Sequence, residues 1–229
     1  DKLIQDASGL DIIIGGPPCQ AYSIAGRVRD EHGMKNDYRN YLFESYIKVV
    51  EKYKPKMFVF ENVPGILSAQ PGDRPIIDII QESFLKAGYI VLRDLSNANI
   101  NFTDYGVPQN RKRIIIIGLS AEYFGKENCE NLLKLFYEKY LLKYKTEKKK
   151  TVMEAIGDLP KLYPLGHDEK YKGRRISHSI PEPFVPNHIA RWQSERDMEI
   201  FKLLTEDIEF GRNEYISTDS LKKLYTEKT

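Results

Sequence analysis

The run Leu10-Asp11-Ile12-Ile13-Ile14, followed at once by Gly15-Gly16-Pro17-Pro18-Cys19, constrains the fold of this chain more than any other stretch. A short, β-branched apolar run reads as a buried strand of a parallel sheet. Two glycines and two prolines stop it abruptly and leave a cysteine just past its carboxyl end, where ligands bind in open α/β sheets. The prolines fix two φ angles, so the Cys19 thiol rides on a stiff loop. It is either a positioned nucleophile or a small buried apolar side chain, and this stretch alone leaves both readings open.

Strand and helix patterns then alternate. Residues 21–40 are polar and read as a long loop, a length usually kept for function or disorder. Tyr41 to Tyr53 places Leu42, Tyr46, Val49, Val50 and Tyr53 on one helical face, with Pro55 as a stop. Met57-Phe58-Val59-Phe60 is a second buried strand, and Glu61-Asn62-Val63-Pro64-Gly65 leaves its carboxyl end. Asp73 can cap a helix that turns Ile76, Ile77, Ile80 and Phe84 inward, with Gly88 behind it. Tyr89 to Leu95 reads as a third strand, and Ile114 to Ile117 is the most apolar strand of all. Alternation of this kind gives βαβ units. The expected fold is α/β, with strands near 10–15, 56–60, 89–95 and 113–119 in one sheet.

The character changes near Ala121. A Lys-rich amphipathic helix is expected within 121–150, with Leu132, Leu133, Phe136, Tyr140 and Leu141 inward. Thr151-Val152-Met153-Glu154 is a capping box opening a short helix that Pro160 stops. Lys161 to Asn187 lacks periodicity and reads as an irregular crossing. One more helix is expected from Arg191 to Thr205, with Trp192, Ile200, Phe201 and Leu204 as its apolar positions.

Composition excludes several classes. Charged residues make up 30% of the 229, yet the net charge is only +2, so any basic surface must be local. Cys19 and Cys129 are the only cysteines, which argues against a disulfide framework or a cysteine zinc site. His32, His167, His178 and His188 form no ligand spacing, so no metal is expected, and His188 is the best candidate for a structural hydrogen bond. Without an apolar run of membrane length or a signal peptide, a cytoplasmic protein is expected. The chain opens at Asp1 almost directly in a strand, which suggests a fragment.

Glu61 sits where Cys19 sits, just past a strand. The next polar loop adds Arg111 and Arg113, spaced by two and so pointing the same way in extended backbone. Glu61 alone could cap a turn, and the arginines alone could form a solvated ion-paired face. Three such features at successive strand ends converge on a site.

Gly-Pro-Pro-Cys-Gln-x-Tyr-Ser at 16–23, Glu61-Asn62-Val63 and Gln109-x-Arg111-x-Arg113, in that order, resemble the cytosine-5 DNA methyltransferases. Arg39-Asn40-Tyr41-Leu42-Phe43 and Thr103-Asp104-Tyr105-Gly106-Val107-Pro108 extend the likeness, which covers residues 10–120 firmly and 151–205 weakly. The resemblance implies the doubly wound, Rossmann-like sheet of S-adenosylmethionine-dependent methyltransferases, incomplete at its N-terminus, plus the start of a small target-recognition domain. On that reading residues 1–120 are catalytic, 121–186 connect, and 187–229 begin recognition. The last strand would be antiparallel.

The family's chemistry explains the residue types. Carbon 5 of cytosine is a poor nucleophile, so a thiolate must first add at carbon 6. The resemblance makes Cys19 that thiolate. Glu61 would hydrogen-bond or protonate ring nitrogen 3 and hold the exocyclic amine. Arg113 would contact the ring carbonyl, and Arg111 would favour the thiolate and a nearby phosphate. Asn62 would brace the cysteine loop. Gln20 and Ser23 would touch the DNA backbone, with Asn62, Val63 and Gln109 also on the substrate side. S-adenosyl-L-methionine is the implied cofactor, with Pro17, Pro18 and Leu42 as one wall of its site. The implied partner is double-stranded DNA, with the base flipped out of the stack, in a restriction-modification setting.

The family's Phe-x-Gly-x-Gly cofactor loop is not found in the sequence. The chain alone is therefore expected to be inactive, and to lean on a partner chain carrying the missing N-terminal strands or to self-associate through an open strand edge. Two alternatives are a tRNA cytosine-5 methyltransferase, whose extra Cys-Phe-Thr signature is not found, and a non-catalytic DNA-binding or split-enzyme subunit.

Overall fold

The computed structural model describes residues 10–18, 42–70 and 73–228. Contacts divide the chain into two compact units, Asp1–Ala155 and Ile156–Thr229.

The first unit is built on a mixed sheet. Strands β1 (Ile12–Gly15) and β2 (Met57–Asn62) pair in parallel, as a βαβ crossover through α1 (Phe43–Tyr53) requires. The long strand β5 (Lys112–Ser120) then lies antiparallel to β2. On the far side of β5 two short antiparallel strands share its edge: β3 (Tyr89–Ile90) and β4 (Asn99–Asn101). The order is thus β1-β2-β5-β3, with β4 also on β5. The four expected strands share one sheet and the last runs antiparallel; β4 was not expected.

Alternation along β2 decides where the core sits. Phe58, Phe60 and Asn62 point to the buried face, while Met57, Val59 and Glu61 point to the other. Tyr46 of α1 and Phe84 of α2 (Ile76–Lys86) close over that buried face: the Phe58 and Phe84 rings stack at 4.2 Å, and Tyr46 meets Phe60 edge-on at 5.3 Å. Each such ring contributes about 1.5–3 kcal/mol by leaving water. Gly118, directly opposite Phe58 on β5, makes room for this packing, because a Cβ there would lie 2.1 Å from the Phe58 ring.

Helix α2 buries Ile76, Ile77, Ile80 and Phe84 as its spacing predicts, and Gly88 follows its end at φ 89°. Its cap differs: Pro75 holds the N-cap position without a side-chain hydrogen bond, and Asp73 instead offers its carbonyl to Gln70. In α1 the inward face is Phe43, Tyr46, Ile47 and Val50, with Val49 42% exposed. The face is rotated from the expected one, with the larger Phe43 and Ile47 buried rather than Leu42 and Val49, which takes more apolar surface out of water.

The first strand corrects a stronger expectation. Ile12 and Ile14 are 49% and 75% exposed, so this apolar run is not buried on both faces among the described residues. The third strand is also shorter than expected. After Ile90 the chain leaves the sheet, and the Gln81 side chain, at 2.7 and 3.1 Å, donates to the carbonyls of Leu92 and Arg93.

Residues 121–150 do not form one helix. A turn of helix, α3 (Ala121–Phe124), precedes α4 (Lys126–Leu135), which runs into a π-helical turn at Phe136–Tyr140 and a 3-10 turn at Leu141–Tyr144. The buried side chains are Cys129, Leu133 and Tyr137, whereas Leu132, Phe136 and Tyr140 are exposed. Tyr137 explains the shift in register. Its hydroxyl accepts from Ile117 N–H at 3.1 Å and donates to Ile115 C=O at 2.7 Å, between the stretches of β5 that β3 and β4 cover. Buried backbone groups need partners, and a phenol supplies them here. Burial pushes the Tyr137 hydroxyl up to about 12.

The first unit closes on α5 (Val152–Ile156), where reciprocal Thr151–Glu154 hydrogen bonds make the expected capping box. The supposedly irregular crossing contains a β-hairpin, β6 (Pro164–Tyr171) and β7 (Arg174–His178). Its strands are polar and bulged, so they lack the alternation that reveals a strand in sequence. The last expected helix is α6 (Glu195–Glu209), capped by Ser194, so Trp192 lies before it and Phe201 is 46% exposed. Ile200 and Asp207 are its buried residues. The Asp207 carboxylate accepts from Glu214 and Tyr215 N–H at 3.0 and 3.1 Å, fixing the turn into α7 (Thr218–Glu227). His188 Nε2 lies 2.8 Å from the Pro160 carbonyl, the structural bond expected of it.

Candidate functional site

The parallel register of β1 and β2 brings two loops together at their carboxyl ends. Gly15 pairs with Phe60, so the next residues, Gly16 and Glu61, lie side by side. Both glycines are used. A Cβ on Gly15 would meet the Tyr46 ring at 2.6 Å, and a Cβ on Gly16 would meet Glu61 Oε2 at 2.7 Å. Tyr46 holds the base of this corner, its hydroxyl donating to Val59 C=O at 3.0 Å, with Ile13 C=O at 3.3 Å. Burial raises the Tyr46 pKa well above its usual value.

Glu61 points away from the aromatic core. It lies opposite Ile115 in the antiparallel β2–β5 ladder, which makes Arg113 its diagonal neighbour on the same face. The pair closes at 2.8 Å from Arg113 Nε to Glu61 Oε1. Arg113 also donates from Nη1 to the Lys112 carbonyl at 2.8 Å, which fixes the guanidinium. The Glu61 side chain remains 38% exposed and that of Arg113 18%, so the carboxyl is oriented yet open to a ligand.

Asn62 takes the opposite, buried face at 2% exposure. Its Nδ2 reaches the Pro17 carbonyl at 3.4 Å and its Oδ1 accepts from Val63 N–H at 2.9 Å. One side chain therefore ties the Gly-Pro-Pro loop to the Glu-Asn-Val loop, two residues before Cys19. Val63 starts the 3-10 turn Pro64–Leu67.

The structure thus gathers Gly16, Pro17, Glu61, Asn62 and Arg113 at one edge of the sheet. Arg111 stands just outside β5 and is exposed, its carbonyl accepting from Phe102 N–H at 2.9 Å. Gln109 is exposed on the loop before it. Neither belongs to the Glu61 cluster among the described residues. Cys19, Gln20 and Ser23 lie outside the described residues, as do Arg39, Asn40 and Tyr41.

Two participants were not singled out in the sequence. Gly16 makes room for the carboxylate, and Tyr46 braces β1 against β2. The doubled glycine was the available signal, since two adjacent residues without a Cβ mark close approach from both faces.

Pro17 and Leu42 are half-buried and Pro18 is exposed. They are the residues expected along one apolar side of an adenosylmethionine. The space beside Gly15 and Gly16 is filled by Tyr46 and Glu61, so it forms no phosphate-style or ribose cradle. The described residues fit one side of such a cofactor and do not enclose it.

The family description "C-5 cytosine-specific DNA methylase" matches residues 1–228. Type II methyltransferase M.Bpa9945I of Bacillus paralicheniformis is 40% identical over 228 residues, covering 90% of this chain and 48% of that protein. Type II methyltransferase M.DdeI of Desulfomicrobium norvegicum is 34% identical over 218 residues, covering 90% and 46%. The chain spans about half the length of these curated relatives. With the match running through both units and the motifs meeting at one corner of the sheet, the chain belongs to the C-5 cytosine-specific DNA methylase family, whose members depend on S-adenosylmethionine.

Proposed function

We propose that this chain carries the base-handling half of an enzyme that methylates carbon 5 of cytosine in double-stranded DNA. The observation that carries the reading is the oriented Glu61 carboxyl, clamped by Arg113 at 2.8 Å and standing beside the loop that leads to Cys19. S-adenosylmethionine, when bound, supplies the electrophilic methyl group.

The protein's residues prepare the base. The Cys19 thiolate adds to carbon 6 of a flipped cytosine, which moves electron density towards carbon 5 and ring nitrogen 3. Arg113 holds one Glu61 oxygen, so the carboxyl presents a fixed edge to nitrogen 3 and the exocyclic amine. A fixed hydrogen-bonding group is already in place when charge develops, and that is worth more than one that must reorganise. Asn62 keeps the two loops in register by holding the Pro17 carbonyl. Arg111, exposed beside this edge, favours the thiolate and contacts phosphate. Gln20, Ser23, Val63 and Gln109 line the DNA side, and Pro17, Pro18 and Leu42 the cofactor side. The end of the second unit, from residue 187, begins target recognition.

The exposed Ile12 and Ile14 side chains support one further element of the reading. They suit an apolar covering, supplied by a partner chain or by another segment of the same protein. Two type II methyltransferases among the relatives favour DNA over tRNA as substrate. The direct test is nucleoside analysis after incubating a cofactor-competent preparation with duplex DNA or tRNA. 5-Methylcytosine in DNA alone is expected, and its appearance in tRNA alone would overturn the substrate assignment.

A further inference from the structure

The β6–β7 hairpin ends in a two-residue turn, Lys172-Gly173, with φ of 49° and 77°. Both central residues are left-handed, as a type I′ hairpin turn requires. Asn, Asp or Gly suits the first position, yet a lysine occupies it. In the register, Lys170 lies directly opposite Arg175. Tyr171 lies opposite Arg174. Residues 170–175 thus hold four exposed cations, and Glu169 just before them faces His167 at 3.6 Å. A tip that places a lysine in a left-handed turn and gathers exposed cations around it suits an anion.

The root of the hairpin is rigid. Ile176 and Ser177 are buried, and Ser177 Oγ accepts from Gln193 N–H at 3.0 Å. The Arg175 guanidinium lies 4.4 Å from the Trp192 ring centroid, and the Lys172 ammonium lies 5.2 Å from that of Tyr171. A fixed base with a cationic, aromatic-flanked tip is a two-stranded ribbon of the kind the DNA major groove admits.

We propose that this hairpin tip binds the phosphate backbone of duplex DNA through Lys170, Lys172 and Arg174. It would position the duplex without reading sequence, since phosphate contacts carry register and orientation only. The proposal rests on the DNA methyltransferase reading above.

The test measures duplex affinity of the 229-residue chain against salt concentration, by fluorescence anisotropy. The variant is Lys170→Ala/Lys172→Asn/Arg174→Ala, in which Asn suits the left-handed turn and preserves the hairpin. Each phosphate contact contributes about 0.9 to the slope of log K against log salt, so three lost contacts lower the slope by about 2.7. Lys126→Ala/Lys134→Ala, exposed on α4, should leave it unchanged. An unchanged slope in the hairpin variant, with wild type binding normally, overturns the hairpin and leaves the methyltransferase reading intact. No salt-dependent binding by wild type overturns the hairpin as well, and methylation of DNA by a cofactor-competent preparation then shows whether the methyltransferase reading falls with it.

Discussion

Gly16→Ala separates placement of the carboxylate from stability of the fold. The new Cβ would stand 2.7 Å from Glu61 Oε2, and ordinary contact begins at 3.4 Å, so the oxygen must retreat by about 0.7 Å. The carboxylate is the end of a flexible side chain, so the fold can yield cheaply. The alanine itself gains about 0.4–1 kcal/mol by restricting the unfolded chain, provided its backbone is compatible. The Glu61–Arg113 pair cannot yield without losing its 2.8 Å geometry. Misplacing a catalytic group by about 1 Å costs on the order of 10²-fold in rate. The expected result is therefore a loss of roughly ten- to a hundred-fold in methyl transfer, about 1.4–2.7 kcal/mol of barrier, with a melting temperature near wild type. Steady-state methylation with tritiated cofactor and a thermal melt on the same sample test this. A wild-type rate would refute the claim that Gly16 serves the carboxylate. A collapse in stability with a normal rate per folded molecule would refute the claim that the fold yields cheaply.

Further outcomes follow from the same structure. Glu61→Gln keeps one hydrogen bond and cannot deliver a proton, so the rate should fall by about 10²–10⁴ with duplex affinity retained; equal losses of rate and affinity would mark a structural role. Gly118→Ala drives a Cβ into the Phe58 ring at 2.1 Å and should cost about 1–3 kcal/mol in denaturant unfolding. Tyr137 is raised from 10.0 to about 12 in the folded chain, so its contribution is intact below pH 10 and is lost as pH rises through 12. Alkaline titration of stability should show that loss, and Tyr137→Phe should remove it while leaving Ile115 and Ile117 short of a partner. Because the described residues form only one cofactor wall, isothermal titration of the 229-residue chain with S-adenosylhomocysteine should show no micromolar binding; such binding by a monomeric sample would mean the site is misplaced.

The sheet was legible because its strands are punctuated. Gly15 to Pro18 after Ile14, and Pro64-Gly65 after Glu61, mark carboxyl ends that no helix could share. The inward face of helix α2 was legible to the residue because Ile76, Ile77, Ile80 and Phe84 keep a single 3.6-residue face, whereas its cap was not. What stayed hidden depends on distant partners. The 121–150 segment follows helical periodicity locally, yet Tyr137 turns inward to satisfy the open edge of β5, and no local pattern encodes that edge. The β6–β7 hairpin was hidden because Lys172 stands where an asparagine would signal the turn. At the site, sequence order gave Glu61 and Arg113 as candidates, but the ladder register was needed to make them diagonal neighbours and to leave Arg111 outside the pair.

The central claim is that Cys19 attacks the base that Glu61 holds. A duplex with 5-fluorocytosine at the target lacks the proton that must leave carbon 5, so the covalent intermediate cannot resolve. A cofactor-competent preparation should form a denaturant-stable adduct, and peptide mass spectrometry should place it on Cys19. An adduct formed equally well by Cys19→Ser would contradict the account.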